Sequence, residues 1–499
     1  MSSPPLFLLI NPWITDFAAY DLWAKPIGLL LLASLLRDGG CGVRMIDCLD
    51  RRDAFTNSHP EIQPGRDKNF GTGKYPRMSL PKPDPYSDFP RYFYRHGIHP
   101  ESFRRKLLEI EKPDLIWITS IMTYWYPGVS EAARIAHEIF PGVPVWLGGI
   151  YARLCPGHAE RQSGADRIIT EEVSSLPKMI CEATGFPVRN ASTWGDFKAW
   201  PFPALDLLKP GLDYAPILTG TGCPYRCPFC ASSKLQPKRA RLSAERIFNE
   251  IARGHNDFGI IDFAFYDDAL LLDAEYTLRP ALEKIAKEGP AIRFHAPNAL
   301  HVRALSKDWC DLLQAAGFRT IRLGLETTVD GKSREWGGKV NTEMYLEAVE
   351  NLFEAGFSGD DIGVYLLCGL PGQTPKEVAE SIGIVRQSGV RPHIAEYSPI
   401  PGTPMWDKAA AISPFDIRTE PLYHNNTFYA CRRPDFTYDE MVCLKRMARE
   451  GSKEQEAGSR KQGAGSKEQE AGSRKREARS KERGAGKDFG RIEKSPIGT

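Results

Sequence analysis

From Leu6 to about Ala183, short apolar runs alternate with segments of helical period: LFLLINP, PIGLLLLASLLRDGG, VRMIDCL, DLIWITS, PGVSEAARIAHEIFPG, PVWLGGI and DRIIT. Strands that are apolar throughout are buried on both faces, and the amphipathic segments between them are the crossovers that parallel strands require. The pattern predicts a doubly wound, Rossmann-like α/β domain over residues 1–183. Ligands of such sheets sit beyond the carboxyl ends of the strands, which here carry Asn11, Ser120, Gly148, Gly149 and Glu171. Residues 51–100 interrupt the rhythm with a Pro- and aromatic-rich insertion of no sustained period. It reads either as an irregular excursion held by its aromatics or as a lid over a ligand.

A connector, 184–214, precedes a second alternation over residues 215–405. Six strand candidates, APILTGTG, IIDFAFYDD, AIRFHAPNA, TIRLGLET, DIGVYLLCGLPG and HIAEYSPIPG, are separated by helical segments. One segment places Tyr345, Val349, Leu352, Phe353 and Gly356 on a core-facing stripe. Another opens at Thr374-Pro375-Lys376-Glu377 with a capping box and a proline in its first turn. Six such units predict a partial (β/α)6 barrel whose chemistry lies at the carboxyl ends of its strands, by analogy with the full eight-unit barrel. Residues 406–450 follow as a helical extension, with Thr437 to Glu440 as a further capping box.

Composition changes the picture mainly at the end of the chain. Of 499 residues, 42% are hydrophobic, enough for two sizeable cores, and the net charge is +2. Residues 451–499 hold 13 Lys or Arg and 8 Asp or Glu, net +5, so residues 1–450 carry −3. Five heptads from Gly451 to Ala485 place a single alanine at every seventh position. A coiled coil needs two apolar positions per heptad, so the tail is expected to be disordered. The interleaved glutamates and the lack of aromatics in the heptads argue against a nucleic-acid partner. No apolar stretch is long enough to span a bilayer, and eleven scattered cysteines without a secretory signal fit a reducing cytoplasm.

Three of those cysteines carry chemistry. Cys223, Cys227 and Cys230 stand in TGTGCPYRCPFCASS, spaced CxxxCxxC directly after a strand. An electron-carrying 4Fe-4S site uses four cysteines; three leave one iron open to an exogenous ligand, as an open position separates catalytic from structural zinc sites. A zinc site is the competing reading, but no further Cys or His follows until His255.

CxxxCxxC with an aromatic, Phe229, before the third cysteine, at the end of the first strand of a six-unit barrel, resembles the radical SAM superfamily. FAFYDDALL, RLGLET, LLCGLPGQT and SPIPGTP match it in order. The resemblance implies that Cys223, Cys227 and Cys230 ligate a 4Fe-4S cluster whose open iron binds S-adenosylmethionine. It implies further that the Phe229 backbone lies near the adenine, and that Glu326 hydrogen-bonds cofactor or substrate. Of Asp267 and Asp268, one orients a ligand while the other caps a turn, and Gly369, Pro371 and Gly372 form a turn that backbone-contacts the adenine. A reductase, flavodoxin or ferredoxin would supply the electron.

The first 183 residues resemble the cobalamin-binding domain that precedes the barrel in one branch of that superfamily, through INPW, KPIGLLLLASLLRDGG, ITS and the Gly148-Gly149 pair. No DxHxxG motif is present. Tyr151 stands where relatives often have histidine, and Thr170-Glu171-Glu172 replaces the usual Gly-Glu. The aromatic run SIMTYWYPGV either packs on the corrin or forms a domain interface. The resemblance as a whole implies a cobalamin-dependent methyltransferase acting on an unactivated carbon of an unknown substrate. A cyclising or rearranging enzyme shares every motif, and a non-catalytic iron-sulfur module is the alternative outside catalysis. A tRNA methylthiotransferase fits poorly, because Cys41, Cys48 and Cys155 make no second cluster set.

Overall fold

The computed structural model describes residues 3–208, 212–337 and 340–450. Met1–Leu444 form one compact unit. The heptad tail lies outside the described residues. Five parallel strands, β1 (Leu6–Asn11), β2 (Gly42–Asp47), β3 (Leu115–Ile118), β4 (Val145–Leu147) and β5 (Arg167–Ile168), form the first sheet in the order β2-β1-β3-β4-β5. Alternate residues serve its two faces. Leu8, Ile10, Ile116, Ile118 and Leu147 enter one core with helix α2 (Tyr126–Ile139), while Phe7, Leu9, Leu115, Trp117 and Trp146 enter the other with helix α1 (Ile27–Asp38). The central strands β1, β3 and β4 are covered on both sides, which is why they read as continuous apolar runs. The strand order reverses between β1 and β3, so the crevice of this sheet opens at Asn11 and Ser120.

The connector is part of this domain's core. Trp194 is fully buried and joins Ala204 in the core under α1, and three one-turn helices, Ala191–Gly195, Phe197–Ala199 and Leu205–Leu208, carry the chain across.

Strands β6 (Ala215–Ile217), β7 (Asp262–Phe265), β8 (Arg293–His295), β9 (Phe318–Glu326), β10 (Ile362–Cys368) and β11 (Arg391–Glu396) form the second sheet, in sequential order and parallel throughout. All six are the strands predicted above. Phe263, Phe265, Phe294 and Phe318 pack ring on ring at 5.3–6.1 Å on one face. Helix α3 (Ala244–Phe258) comes so close there that a Cβ on Gly254 would stand 2.7 Å from the Phe263 ring. On β9, Ile321, Leu323 and Leu325 are buried, whereas Arg322, Gly324 and Glu326 occupy the other face at intermediate exposure. The helix Thr342–Glu354 buries Tyr345, Val349 and Leu352 as expected, but Phe353 remains 39% exposed. Eight residues from Tyr345, Phe353 sits about 80° round the helix, at the margin of the stripe.

The insertion has more structure than its sequence suggests. Ile14–Asp16, Phe93–His96 and Arg77–Leu80 form one antiparallel sheet, and Tyr20–Asp21, Gly73–Lys74 and Arg66–Asp67 form another. Strands of two to four residues are too short to display an alternating pattern. Trp23 and Phe70 pack on His295 of β8 with ring centres 4.6 and 4.8 Å away. Tyr86 and Phe89 pack on Phe428 of the carboxyl-terminal extension, at 5.2 and 5.1 Å. The insertion is therefore wedged between the first sheet, the barrel and the extension.

The aromatic run at 120–129 resolves as an interface. Trp125 Nε1 donates to Asp16 at 2.8 Å, Tyr126 reaches Glu420 at 3.5 Å, and the Thr123 hydroxyl meets His424 Nδ1 at 2.9 Å. His424 is 1% exposed and its Nε2 lies 2.8 Å from the Ile417 carbonyl. Burial holds its pKa down to about 4. The unfolded chain protonates this histidine near pH 6.5 and the folded chain does not until about pH 4. Its contribution is present above pH 6.5 and lost as pH falls through 4, worth about 3 kcal/mol. Urea titrations between pH 7 and pH 4 should show His424→Gln losing less stability on acidification than the parent; parallel profiles would refute the assignment.

Candidate functional site

The glycines before the cysteines are fixed by what packs on them. Gly220–Thr221 pairs antiparallel with Ala240–Arg241, and a Cβ on Gly220 would fall 2.8 Å from the Ala240 carbonyl. Gly222, at φ 72°, would bring one within 2.8 Å of the Lys238 carbonyl. The chain therefore turns sharply into Cys223 against its own return strand. Cys227 is buried and Cys223 and Cys230 are half-buried. Cys230 Sγ lies 3.2 Å from Ser232 Oγ and 3.4 Å from the Ser232 amide nitrogen. The Pro228 carbonyl accepts from Met405 N at 2.9 Å, which ties the loop to the segment after β11. Phe229 is half-buried within this turn.

Three sulfurs on one tetrahedral zinc lie about 3.8 Å apart. Among the described residues the only trio of donors within 4.8 Å of one another is His59, Glu61 and His99 in the insertion, so the cysteines are not gathered around a single ion. The His59 and His99 rings are stacked 3.9 Å apart, and each Nδ1 accepts a backbone N–H.

Asp267 and Asp268 engage different partners. Asp267 is 3% exposed and accepts from Thr219 N at 3.0 Å, Thr219 Oγ1 at 2.7 Å and Arg241 at 2.9 Å. Burial raises its pKa to about 6 even beside the Arg241 guanidinium. Its carboxylate is spent on the two backbone segments that flank the cysteine loop, so it shapes the loop from beneath. Arg241, which also donates to the Ala269 and Leu272 carbonyls, is the partner that sequence reasoning missed. Nothing in the sequence marked it. Asp268 hydrogen-bonds Ser232, the residue that contacts Cys230.

Glu326 closes β9 at φ 67°, a left-handed conformation rare outside glycine, and the β9–β10 register slips between Gly324 and Glu326. Gly369, Pro371 and Gly372 form the turn after β10. A Cβ on Gly369 would meet Tyr429 at 2.6 Å and Met441 at 2.9 Å, so that side of the turn is filled by the extension. Gln373, 1% exposed, accepts from the amides of Gly369 at 2.8 Å and Leu370 at 3.2 Å.

At the first sheet, Asn11 Nδ2 donates to Asp47 at 2.7 Å. Ser120 Oγ donates to the Gly148 carbonyl at 2.8 Å, and a Cβ on Gly149 (φ 92°) would lie 2.3 Å from the Ser120 carbonyl. Tyr151 is fully buried in the core, and its hydroxyl pairs with His158 Nδ1 at 2.7 Å. Glu171 is exposed and pairs with Arg167 at 3.5 Å. The ends of β4 and β5 face the barrel beside the cysteine loop: Arg153 donates to the Leu235 carbonyl at 2.6 Å, and Lys238 pairs with Glu172 at 2.7 Å.

The Radical SAM superfamily model matches residues 217–384, from the first barrel strand into the helix after β10. Residues 217–384 belong to the radical SAM superfamily. This radical SAM domain and the sheet before it share a fold with TsrM, a radical S-adenosylmethionine methyltransferase of Kitasatospora setae solved with cobalamin and a [4Fe-4S] cluster. The TM-score is 0.61 at 17% identity, over 82% of this chain and 76% of that one. The cobalamin-dependent S-adenosylmethionine radical enzyme OxsB aligns with a TM-score of 0.51 at 15% identity, over 88% of this chain and 61% of that one. In sequence, an uncharacterized methyltransferase of Pyrococcus horikoshii is 24% identical over 336 residues, 61% of this chain and 71% of the relative. The cytidylyl-2-hydroxyethylphosphonate methyltransferase of Streptomyces wedmorensis is 20% identical over 444 residues, 77% of each chain. No helix among the described residues is long and apolar enough to cross a membrane.

Proposed function

We propose that the protein is a cobalamin-dependent radical SAM methyltransferase acting on an unactivated carbon. The observation that carries this reading is the joining, in one compact unit, of a β2-β1-β3-β4-β5 sheet to a six-stranded barrel with its CxxxCxxC loop facing the ends of β4 and β5. The methyltransferase names of the sequence relatives support it.

Cys223, Cys227 and Cys230 would hold the 4Fe-4S cluster, with Ser232 and Asp268 steadying the Cys230 sulfur. Phe229 and the turn at Pro371 and Gly372 would border the adenine, and the crevice at Asn11, Ser120 and Gly148-Gly149 would seat cobalamin. When bound, these groups supply an electron, an adenosyl radical and a methyl carrier. The chain's own task is to orient them and exclude water. A flavodoxin- or ferredoxin-type donor would deliver the electron.

Anaerobic turnover of the reconstituted full chain with methyl-deuterated S-adenosylmethionine should yield 5′-deoxyadenosine and S-adenosylhomocysteine together with a labelled product. Deoxyadenosine without label transfer would overturn the reading. Cobalt should accompany about four irons per chain.

Glu326 supplies a sharper test of one residue. Its left-handed backbone costs about 1–2 kcal/mol, which glycine would not incur. Glu326→Gly is expected to hold or raise the melting temperature while S-adenosylmethionine cleavage falls roughly a hundredfold, a loss of about 2.7 kcal/mol in the reaction. Cleavage at the parent rate would remove Glu326 from the site.

A further inference from the structure

The insertion contains one tripeptide twice, His-Pro-Glu at residues 59–61 and again at 99–101, and the fold brings the two copies together. The His59 and His99 rings stack 3.9 Å apart with their planes 20° from parallel, and Phe55 packs on both, at 5.7 and 6.0 Å. A buried carboxylate braces the junction. Asp53, 7% exposed, accepts from Thr56 N at 2.8 Å and from Ser102 Oγ at 2.9 Å, so it holds both the turn before the first copy and the helix after the second. Thr56 Oγ1 in turn accepts from His99 N at 2.8 Å.

Three donors meet at the edge of this junction. His59, Glu61 and His99 each offer one ligand atom, all within 4.8 Å of one another, and Glu61 Oε2 lies 3.9 Å from His99 Nε2. Burial and the adjoining His59 ring lower the His99 pKa, so that ring is uncharged at neutral pH and has no extra proton for a metal to displace. The Nδ1 atoms of His59 and His99 accept from the amides of Glu61 and Glu101, but at 3.3 and 3.2 Å these bonds are long. A metal on each Nε2 puts the ring proton on Nδ1, and two metal–nitrogen bonds then replace the two long amide bonds. Tetrahedral zinc holds its N and O donors about 3.3 Å apart, so modest side-chain rotations complete the set. Glu61, 68% exposed, has room to turn inward. Glu101, the matching carboxylate of the second copy, is instead paired with Arg105 at 3.3 Å.

We propose that His59, His99 and Glu61 bind one divalent transition-metal ion, zinc by the nature of the donors, with water completing its shell. Imidazole nitrogens suit zinc, whereas calcium and magnesium take oxygen ligands. The ion ties residues 59–61 to residue 99 and so closes the loop that carries Phe70, Tyr86 and Phe89 to their contacts with the barrel and the extension. The site lies outside the cysteine loop, and its occupancy does not depend on the methyltransferase reading.

Calorimetric titration of the reconstituted full chain with zinc chloride tests it without turnover, because the cluster cysteines are then occupied. The parent should bind one zinc per chain saturably, and its melting midpoint should rise with zinc concentration. His99 caps the helix that follows it, and asparagine caps equally well, so His99→Asn removes the ligand and keeps the cap. His59→Asn and His99→Asn should each weaken binding by more than about tenfold and Glu61→Gln by about tenfold, while Glu101→Gln binds as the parent does. No saturable zinc binding by the parent, parental affinity in both histidine variants, or an equal loss in Glu101→Gln and Glu61→Gln would overturn the proposal. If a histidine variant melts earlier than the parent without zinc, Glu61→Gln decides alone, since it alters an exposed side chain: unchanged binding there refutes the site.

Discussion

Exchanging Cys227 for serine should give a folded chain that retains less than one iron where the parent holds about four. Cys227 is the most enclosed of the three cysteines, at 5% exposure. Serine fills nearly the same space, so the turn through Pro228 and its bond to Met405 should survive, but an alcohol at neutral pH offers no counterpart to the thiolate that binds iron. A cubane held by two protein ligands is expected to fall apart during anaerobic purification. Iron and sulfide analysis, the visible absorbance and S-adenosylmethionine cleavage should all collapse together while the thermal midpoint of the reconstituted-free chain stays put. Cys443→Ser, at an exposed position, is the matched control and should change none of them. Full iron loading in Cys227→Ser would remove this loop from the cluster site altogether.

The largest effect on stability is expected at Arg51, a residue with no place in the chemistry. Its side chain is 4% exposed and bonds Asp21 through Nε at 3.2 Å and Asp213 through Nη2 at 2.9 Å, with Asp67 on Nη1. Asp21 is itself 1% exposed and also accepts from Tyr214 at 2.7 Å. Removing the cation leaves a buried carboxylate without its counter-charge, which costs about 3–5 kcal/mol. Arg51→Met should lower the calorimetric midpoint accordingly. Arg51→Met combined with Asp21→Asn should recover much of the loss, because the stranded charge is then gone. A single variant that loses less than about 1 kcal/mol would show that these ion pairs behave like exposed ones.

The strands of both sheets were legible from the apolar runs that contain them and the helical segments between, even where the strand itself spans only two to four residues. The cysteine loop was legible because three thiols at fixed spacing have few other uses. What stayed hidden depends on contacts distant in sequence. Arg241 becomes important only when the return strand brings it beneath Asp267, and Trp194 becomes core only when the connector folds back over α1. The insertion was opaque for another reason: strands of two to four residues carry no readable alternation. The burial of Tyr151 in the core through the short helix Ile150–Leu154 was equally out of reach, because its place after a Gly-Gly pair says nothing of which way the next turn rotates it. Asp16 gave no signal at all, although it accepts from Phe17 N, Trp125 and Asn425 at one buried junction.

That junction has a consequence for how the chain is made. Asp16 and its partner Asn425 are 409 positions apart. At ribosomal speeds of about 5–20 residues per second, they emerge roughly 20–80 s apart. During synthesis the loop that leaves the first strand therefore waits, with a carboxylate still open to water, until 409 further residues have followed it. The first sheet can form early, but its junction with the extension is sealed only after the whole barrel has been translated.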